Sequence, residues 1–128
     1  MSATPRCRVL VVEDQALIAM LVEDMIHEFG SEVVGPASHF GEALRLAQTA
    51  ELDAAILDIN VGGEVIFPVA DVLQERNIPF IFATGYGSKV LPPQFSNRTA
   101  LPKPFSYQTL AEALRIMLAA QPCYNEAA

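Results

Sequence analysis

Four short stretches of the sequence carry an apolar run into residues able to do chemistry: Val11-Val12-Glu13-Asp14, Leu57-Asp58-Ile59-Asn60, Ala83-Thr84-Gly85 and Leu101-Pro102-Lys103-Pro104. Carboxylates such as Glu13, Asp14 and Asp58, once brought together, repel and raise one another's pKa. A hard divalent cation relieves that repulsion, and Mg²⁺ (or Mn²⁺) takes oxygen ligands from a few carboxylates, water and phosphate. The backbone carbonyl of Asn60, two residues beyond Asp58, could supply a further oxygen. A carboxylate can also attack phosphorus and form an aspartyl-phosphate. A phosphoryl group in transfer needs positive charge and hydrogen-bond donors on its equatorial oxygens. Besides the cation, the Lys103 ammonium and the Thr84 hydroxyl are of the right kind.

Taken singly, each residue has a plainer reading. Asp14 before a helix is an N-cap, Glu13 a solvated charge, Asp58 a turn residue, Lys103 a surface lysine and Thr84 a β-former. The chemical reading holds only if the fold delivers all of them to one place.

The elements between them do so. Arg8 to Val12 reads as a first strand. A helix follows, with Ile18, Leu21, Val22, Met25, Ile26 and Phe29 at spacings of three and four and Gly30 to stop it. Glu32 to Ala37 is a weaker strand broken by Gly35-Pro36, as suits a sheet edge, and about Gly41 to Thr49 is a second helix. Ala54 to Asp58 is continuously apolar up to its last residue, as expected of a strand buried on both faces. Val61-Gly62-Gly63 reads as a flexible loop. A helix from about Val65 to Arg76 has Pro68 in its first turn, where a missing N–H costs little. Pro79 to Ala83 is a fourth strand. Ser88 to Arg98, with Pro92-Pro93, predicts a short or irregular helix. Thr99 to Leu101 is a brief fifth strand. Ser106 can cap the last helix, with Phe105 and Leu110 as a hydrophobic staple. Tyr107, Leu110, Ala111, Leu114, Met117 and Leu118 form its apolar stripe.

The repeated β-α order predicts an α/β fold: a doubly wound, flavodoxin-like (βα)5 domain with a five-stranded parallel sheet in the order 2-1-3-4-5. Strand ends in such a sheet point one way, and ligands bind outside their carboxyl ends. Glu13, Asp14, Asp58, Thr84 and Lys103 all lie at those ends.

Bulk properties agree. The 128 residues, 52% hydrophobic, fit one domain with a full core. We expect that domain to span residues 1–128, with a core of about 7–120 and a frayed tail over 121–128. The net charge of −7 and the scattered Lys and Arg argue against nucleic acid as a partner. No run approaches the ~18 apolar residues of a membrane span, and the N-terminus has no signal-peptide core. Cys7 and Cys123 lack any metal-ligand spacing and read as reduced thiols, so a cytoplasmic location is expected. His27 and His39 read as surface residues.

With these four stretches in this order, the chain resembles the response-regulator receiver domains of bacterial two-component signalling over nearly its whole length. The resemblance implies that Asp58 is the phosphoacceptor, taking phosphate from the phosphohistidine of a sensor histidine kinase or a phosphotransfer protein. It implies that Asp14, Asp58 and the Asn60 carbonyl ligate Mg²⁺ directly, with Glu13 acting largely through water, and that Thr84 and Lys103 contact the phosphoryl group. It also implies a cis Lys103-Pro104 bond. Output would pass to a downstream protein through the last helix, the strand before it and the broken helix. Such a domain is not a turnover enzyme; any hydrolysis is slow self-dephosphorylation. Two features depart from the common pattern. Leu101 stands where most receivers have Tyr or Phe, and Asn60-Val61-Gly62-Gly63 replaces the usual Met-Pro. Phe82-Ala83-Thr84-Gly85-Tyr86 resembles the FATGY subgroup, whose kinases are often of the HWE type. The expected switch therefore lies in Gly85, Tyr86, Gly87, Leu101 and Pro104.

Rival readings are weaker. A haloacid-dehalogenase-type hydrolase needs an Asp where Asn60 stands. A flavodoxin would need a Ser/Thr/Gly-rich phosphate loop where Glu13-Asp14-Gln15 stands. A phosphorylation-independent pseudo-receiver would not need the intact acidic set, and a phosphate sink within a relay is the other alternative. No output domain follows the last helix, so a stand-alone receiver, or one cut from a longer protein, is expected.

Overall fold

The computed structural model describes residues 6–85 and 91–124. Strands β1 (Arg8–Val12), β2 (Glu32–Ala37), β3 (Ala54–Asp58), β6 (Phe80–Thr84) and β7 (Ala100–Pro102) form one parallel sheet in the order β2-β1-β3-β6-β7. This is the expected 2-1-3-4-5 order, with two short strands added between the third and fourth. Those two, β4 (Asn60–Val61) and β5 (Glu64–Val65), pair antiparallel. The stretch expected to be a flexible loop is instead a β-hairpin.

Helices α1 (Ala16–Phe29), α2 (Phe40–Thr49), α3 (Phe67–Glu75) and α4 (Tyr107–Leu118) cover both faces. The alternation of each strand sets the faces. Leu10, Val12, Ala55, Leu57, Phe80 and Phe82 pack with Ala43 and Ala47 of α2 and Val69, Ala70 and Leu73 of α3. Val9, Val11, Ala54, Ile56, Ile81, Ala83 and Leu101 pack with Val22 and Ile26 of α1 and Leu110, Leu114 and Leu118 of α4. The central strands β3 and β6 are buried along their whole length, which is why they read as continuous apolar runs.

Local signals act as their chemistry dictates. Gly30 closes α1 in the left-handed region at φ 100°, and its N–H donates to the carbonyls of His27 and Ile26. Ser106 Oγ accepts the Thr109 N–H at the start of α4, while Phe105 and Leu110 join one apolar cluster. Edge strand β2 contains a cis Gly35–Pro36 bond, and its register against β1 shifts between Leu10 and Val12. Gly35 is at φ +97°, where a Cβ would meet the Ala37 nitrogen at 2.7 Å, so no other residue fits without movement.

One expectation at the opposite end of the sheet is corrected. Cys7 and Cys123 are not free thiols but form a disulfide, with Cα atoms 5.1 Å apart. Parallel crossovers return β1 and the end of α4 to neighbouring positions although 116 residues separate the two cysteines in sequence. The free-thiol argument for a cytoplasmic location therefore falls away. Of the expected tail, residues 125–128 lie outside the described residues, and residues 121–124 make contacts. The Tyr124 ring stacks on Phe29 with centroids 6.2 Å apart, and Gln121 Nε2 donates to the Asp53 carbonyl. No helix among the described residues is long and apolar enough to cross a membrane.

Candidate functional site

Strand parity explains which polar groups meet. Val9 and Val11 of β1, Ala54 and Ile56 of β3, and Leu101 of β7 face the α1/α4 side. Two residues further along each chain come Glu13, Asp58 and Lys103, so all three continue that side at the carboxyl end of the sheet. The Lys103 ammonium lies between the two carboxylates. Its Nζ donates to Glu13 Oε1 at 3.0 Å and to Asp58 Oδ2 at 3.2 Å. Backbone bonds fix the approach: the Lys103 N–H donates to the Thr84 carbonyl at 2.8 Å, and Lys103–Pro104 is cis, as the resemblance implied.

Glu13 and Asp58 are buried, at 4% and 7% exposure. Glu13 is thus neither a solvated loop charge nor a bystander. Besides Lys103, its Oε2 accepts the Gln15 N–H where α1 begins. Asp14 is exposed and is not the N-cap of α1; Gln15 holds that position. Asp14 Oδ2 instead accepts the Gly62 N–H, at 2.8 Å, across from the hairpin. Thr84 is buried at the end of β6, whose Ala83 is paired with Asp58 of β3.

The electrostatics follow from this crowding. Burial, and after it the charge of Glu13, push the Asp58 carboxyl up from 3.8 to about 6, against the pull of Lys103. For Lys103, burial opposes the charge most strongly of any single influence. The hydrogen bond to Glu13 and the attraction of Asp58 and Glu13 together outweigh it and hold the ammonium above its ordinary pKa. One ammonium thus faces two buried carboxylates, with a third carboxylate beside them.

Glu13, Asp14 and Asp58 each offer an oxygen within 4.8 Å of the others. Such a hard-oxygen set, with one member raised in pKa by burial and like charge, fits a divalent cation of the Mg²⁺ class. The site opens into a cleft of about 830 Å³, walled by Ile18, Leu21 and Met25 of α1, by Asn60, Val65 and Phe67, and by Pro104 and Phe105. Asn60 lies on this wall, in β4 opposite Val65.

The expected switch elements divide. Leu101 is a buried core residue on the α1/α4 side and borders a second groove of about 460 Å³ against α4. Gly85 lies on the rim of the main cleft. Tyr86 and Gly87, and the first part of the expected irregular helix, lie outside the described residues. Of the rest, Pro93–Phe95 form a single 3-10 turn. That turn is anchored, since Phe95 is fully buried against Phe67, Phe80 and Phe82. The Arg98 guanidinium lies 4.2 Å over the Phe80 ring. Sequence reasoning missed Gly62 as a partner of the acidic set. The signal was present: paired glycines between two short runs mark a two-residue hairpin turn.

Comparison with known proteins agrees with the fold. The profile of the response regulator receiver domain matches residues 9–115. The transcriptional regulatory protein PdtaR of Mycobacterium tuberculosis is 33% identical over 119 residues, covering 90% of this chain but only 58% of PdtaR. The solution structure of SdrG from Sphingomonas melonis Fr1 is 39% identical, with a TM-score of 0.78 over 91% of this chain and 99% of SdrG. A receiver domain of the sensor histidine kinase PA1611 from Pseudomonas aeruginosa PAO1, with magnesium coordinated in its active-site cleft, shares the fold. It has a TM-score of 0.75 at 19% identity and covers 91% of this chain and 99% of that domain.

Proposed function

Because the chain belongs to the response-regulator receiver family of two-component signalling, we propose that Asp58 is its phosphoacceptor, charged from a phosphohistidine on a sensor kinase or phosphotransfer protein. The observation that carries this reading is the placement of the Lys103 ammonium at 3.0 Å from Glu13 and 3.2 Å from Asp58, at the mouth of an open cleft. An Asp58 oxygen attacks phosphorus as the P–N bond of the donor imidazole breaks, and the freed imidazole takes up a proton. Lys103 shifts from the carboxylate to the incoming phosphoryl oxygens, and the Thr84 hydroxyl donates to another. Asp14, Asp58 and the Asn60 carbonyl would hold Mg²⁺ or Mn²⁺ directly, with Glu13 acting largely through water, and the bound cation would neutralise charge on the transferring group. The magnesium seen in the PA1611 domain's cleft and the acidic cluster here support that assignment.

Receivers signal rather than turn over substrate, so the output is a phosphorylation-dependent contact with a downstream protein. The groove bordered by Leu101 and α4 is the proposed face, and residues 1–128 act as one receiver unit. Because Leu101 has no aromatic ring to swing, Gly85, Tyr86, Gly87, the proline-broken segment after them and Pro104 carry the rearrangement instead. HWE-type kinases are the proposed donors and the cytoplasm the proposed location. A phosphate sink uses the same chemistry without the downstream contact.

Intact-mass analysis after incubation with a small acyl-phosphate donor tests the acceptor. The protein should gain one phosphoryl group when Mg²⁺ is present, and neither the Asp58→Asn variant nor a chelator-treated sample should gain it. Phosphate that survives Asp58→Asn would refute the assignment.

A further inference from the structure

We infer that the β4–β5 hairpin is a positioning device for the acidic cluster, acting through one backbone donor, the Gly62 N–H. The inference rests on the metal-binding part of the function proposed above and adds a residue that the acidic set does not contain. Gly62 and Gly63 have φ of +58° and +85°, the paired positive values of a type I′ turn, whose twist suits a two-residue hairpin. The hairpin is seated from below: Ile59, Val61 and Ile66 are buried, and the Ile66 N–H donates to the Ile59 carbonyl at 2.9 Å. Asn60, Glu64 and Val65 are exposed. The turn is therefore tied to the strand that ends in Asp58, and its Gly62 N–H reaches Asp14 Oδ2 at 2.8 Å.

Asp14 needs such a partner. Glu13 and Asp58 are buried and share Lys103, whereas Asp14 is exposed and would otherwise rotate freely in water. A hydrogen bond to one carboxylate oxygen restrains the group and leaves the second oxygen available as a ligand. Partners that orient a ligating carboxylate in this way typically matter about 10–100-fold in metal affinity. Gly62 is thus a positioning residue, acting through Asp14.

A Cβ at position 62 would meet no heavy atom within 4 Å. A side chain there acts only through the backbone it permits, which isolates the variable. Asn tolerates the left-handed region and a β-branched residue does not. Gly62→Asn should keep the turn and the donor, and Gly62→Val should lose both. The measurement is a Mg²⁺ titration of the unphosphorylated chain, followed by backbone amide NMR shifts at positions 13, 14, 58 and 62, with thermal melting as the check on folding. Gly62→Val should bind Mg²⁺ about tenfold more weakly, and Gly62→Asn should stay within about twofold of wild type. If Gly62→Val melts out, Gly62→Ala is read in its place and should fall between the two. Equal Mg²⁺ affinity in wild type and a folded Gly62→Val or Gly62→Ala chain overturns the inference alone. Equal weakening by Asn and Val overturns it too. A wild-type chain that takes up no Mg²⁺ overturns the metal assignment and this inference with it.

Discussion

At the carboxyl end of the sheet, two buried carboxylates share one lysine, and a third hangs from a glycine amide. At the amino end, a disulfide joins Cys7 to Cys123, Tyr124 stacks on Phe29, and Arg8 ties neighbouring segments together. The Arg8 N–H and Nε donate to Asp53 and to the Glu51 carbonyl, and its guanidinium pairs with Glu32. One end stores repulsion that a cation or a phosphoryl group can relieve; the other is bonded covalently and by apolar contact. The same strands run through both. Reactive crowding at one edge is tolerable because the opposite edge and the two apolar faces hold the strands in place. The difference makes the ends separable by experiment, since a cut at the amino end should cost stability and spare the chemistry.

The largest effect is expected from that cut. Replacing Cys7 and Cys123 by Ser opens a closed loop of 116 residues and should cost about 4 kcal/mol in denaturant unfolding. Phosphoryl uptake should be unchanged at a temperature where the variant stays folded. Loss of uptake in the folded variant would show that the two ends are coupled.

Lys103→Met comes next. It leaves Glu13 and Asp58 buried together without their cation and should cost about 3 kcal/mol in metal-free buffer. Excess Mg²⁺ should restore much of that loss. A variant as stable as wild type without metal would mean that the carboxylates do not confront each other as described.

The third effect has the opposite sign. Unfolded Asp58 ionises near 3.8 and folded Asp58 at about 6, so the folded chain holds the extra proton between those values. Stability therefore falls as pH rises through that window, and above it the ionised group costs on the order of 3 kcal/mol. Metal-free Asp58→Asn should be more stable than wild type by about that amount at pH values well above 6, and the gap should close toward pH 4. A gap independent of pH would place the cause elsewhere.

Much of this contrast was legible in the sequence, for physical reasons that differ between the ends. Ala54 to Asp58 and Pro79 to Ala83 are continuously apolar because they are buried on both faces, so the central strands, and with them the order of the sheet, could be inferred. Glu13, Asp58, Thr84 and Lys103 could be placed together because parallel strands present their ends on one side. What could not be read was the division of labour within Glu13-Asp14. Either acid could have been buried; Glu13 is, because it continues the side of Val9 and Val11. The hairpin at Gly62-Gly63 was taken for a loop because its strands, Asn60–Val61 and Glu64–Val65, are too short to show periodicity. The disulfide left no local signal, because only the folded crossovers bring its halves together. Phe95 and Arg98, which anchor the 3-10 turn at Pro93–Phe95, were hidden by the same proline pair that broke the helical pattern.

The central claim is that Asp58, and no other group, accepts phosphate. Borohydride reduction of the phosphorylated chain followed by peptide mapping tests it most directly, because an aspartyl-phosphate is converted to homoserine at the position that carried it. The account predicts homoserine at position 58 alone, formed only when Mg²⁺ and a phosphodonor were both present. Homoserine at Asp14 or another carboxylate, or a phosphorylated chain with Asp58 intact after reduction, would contradict it.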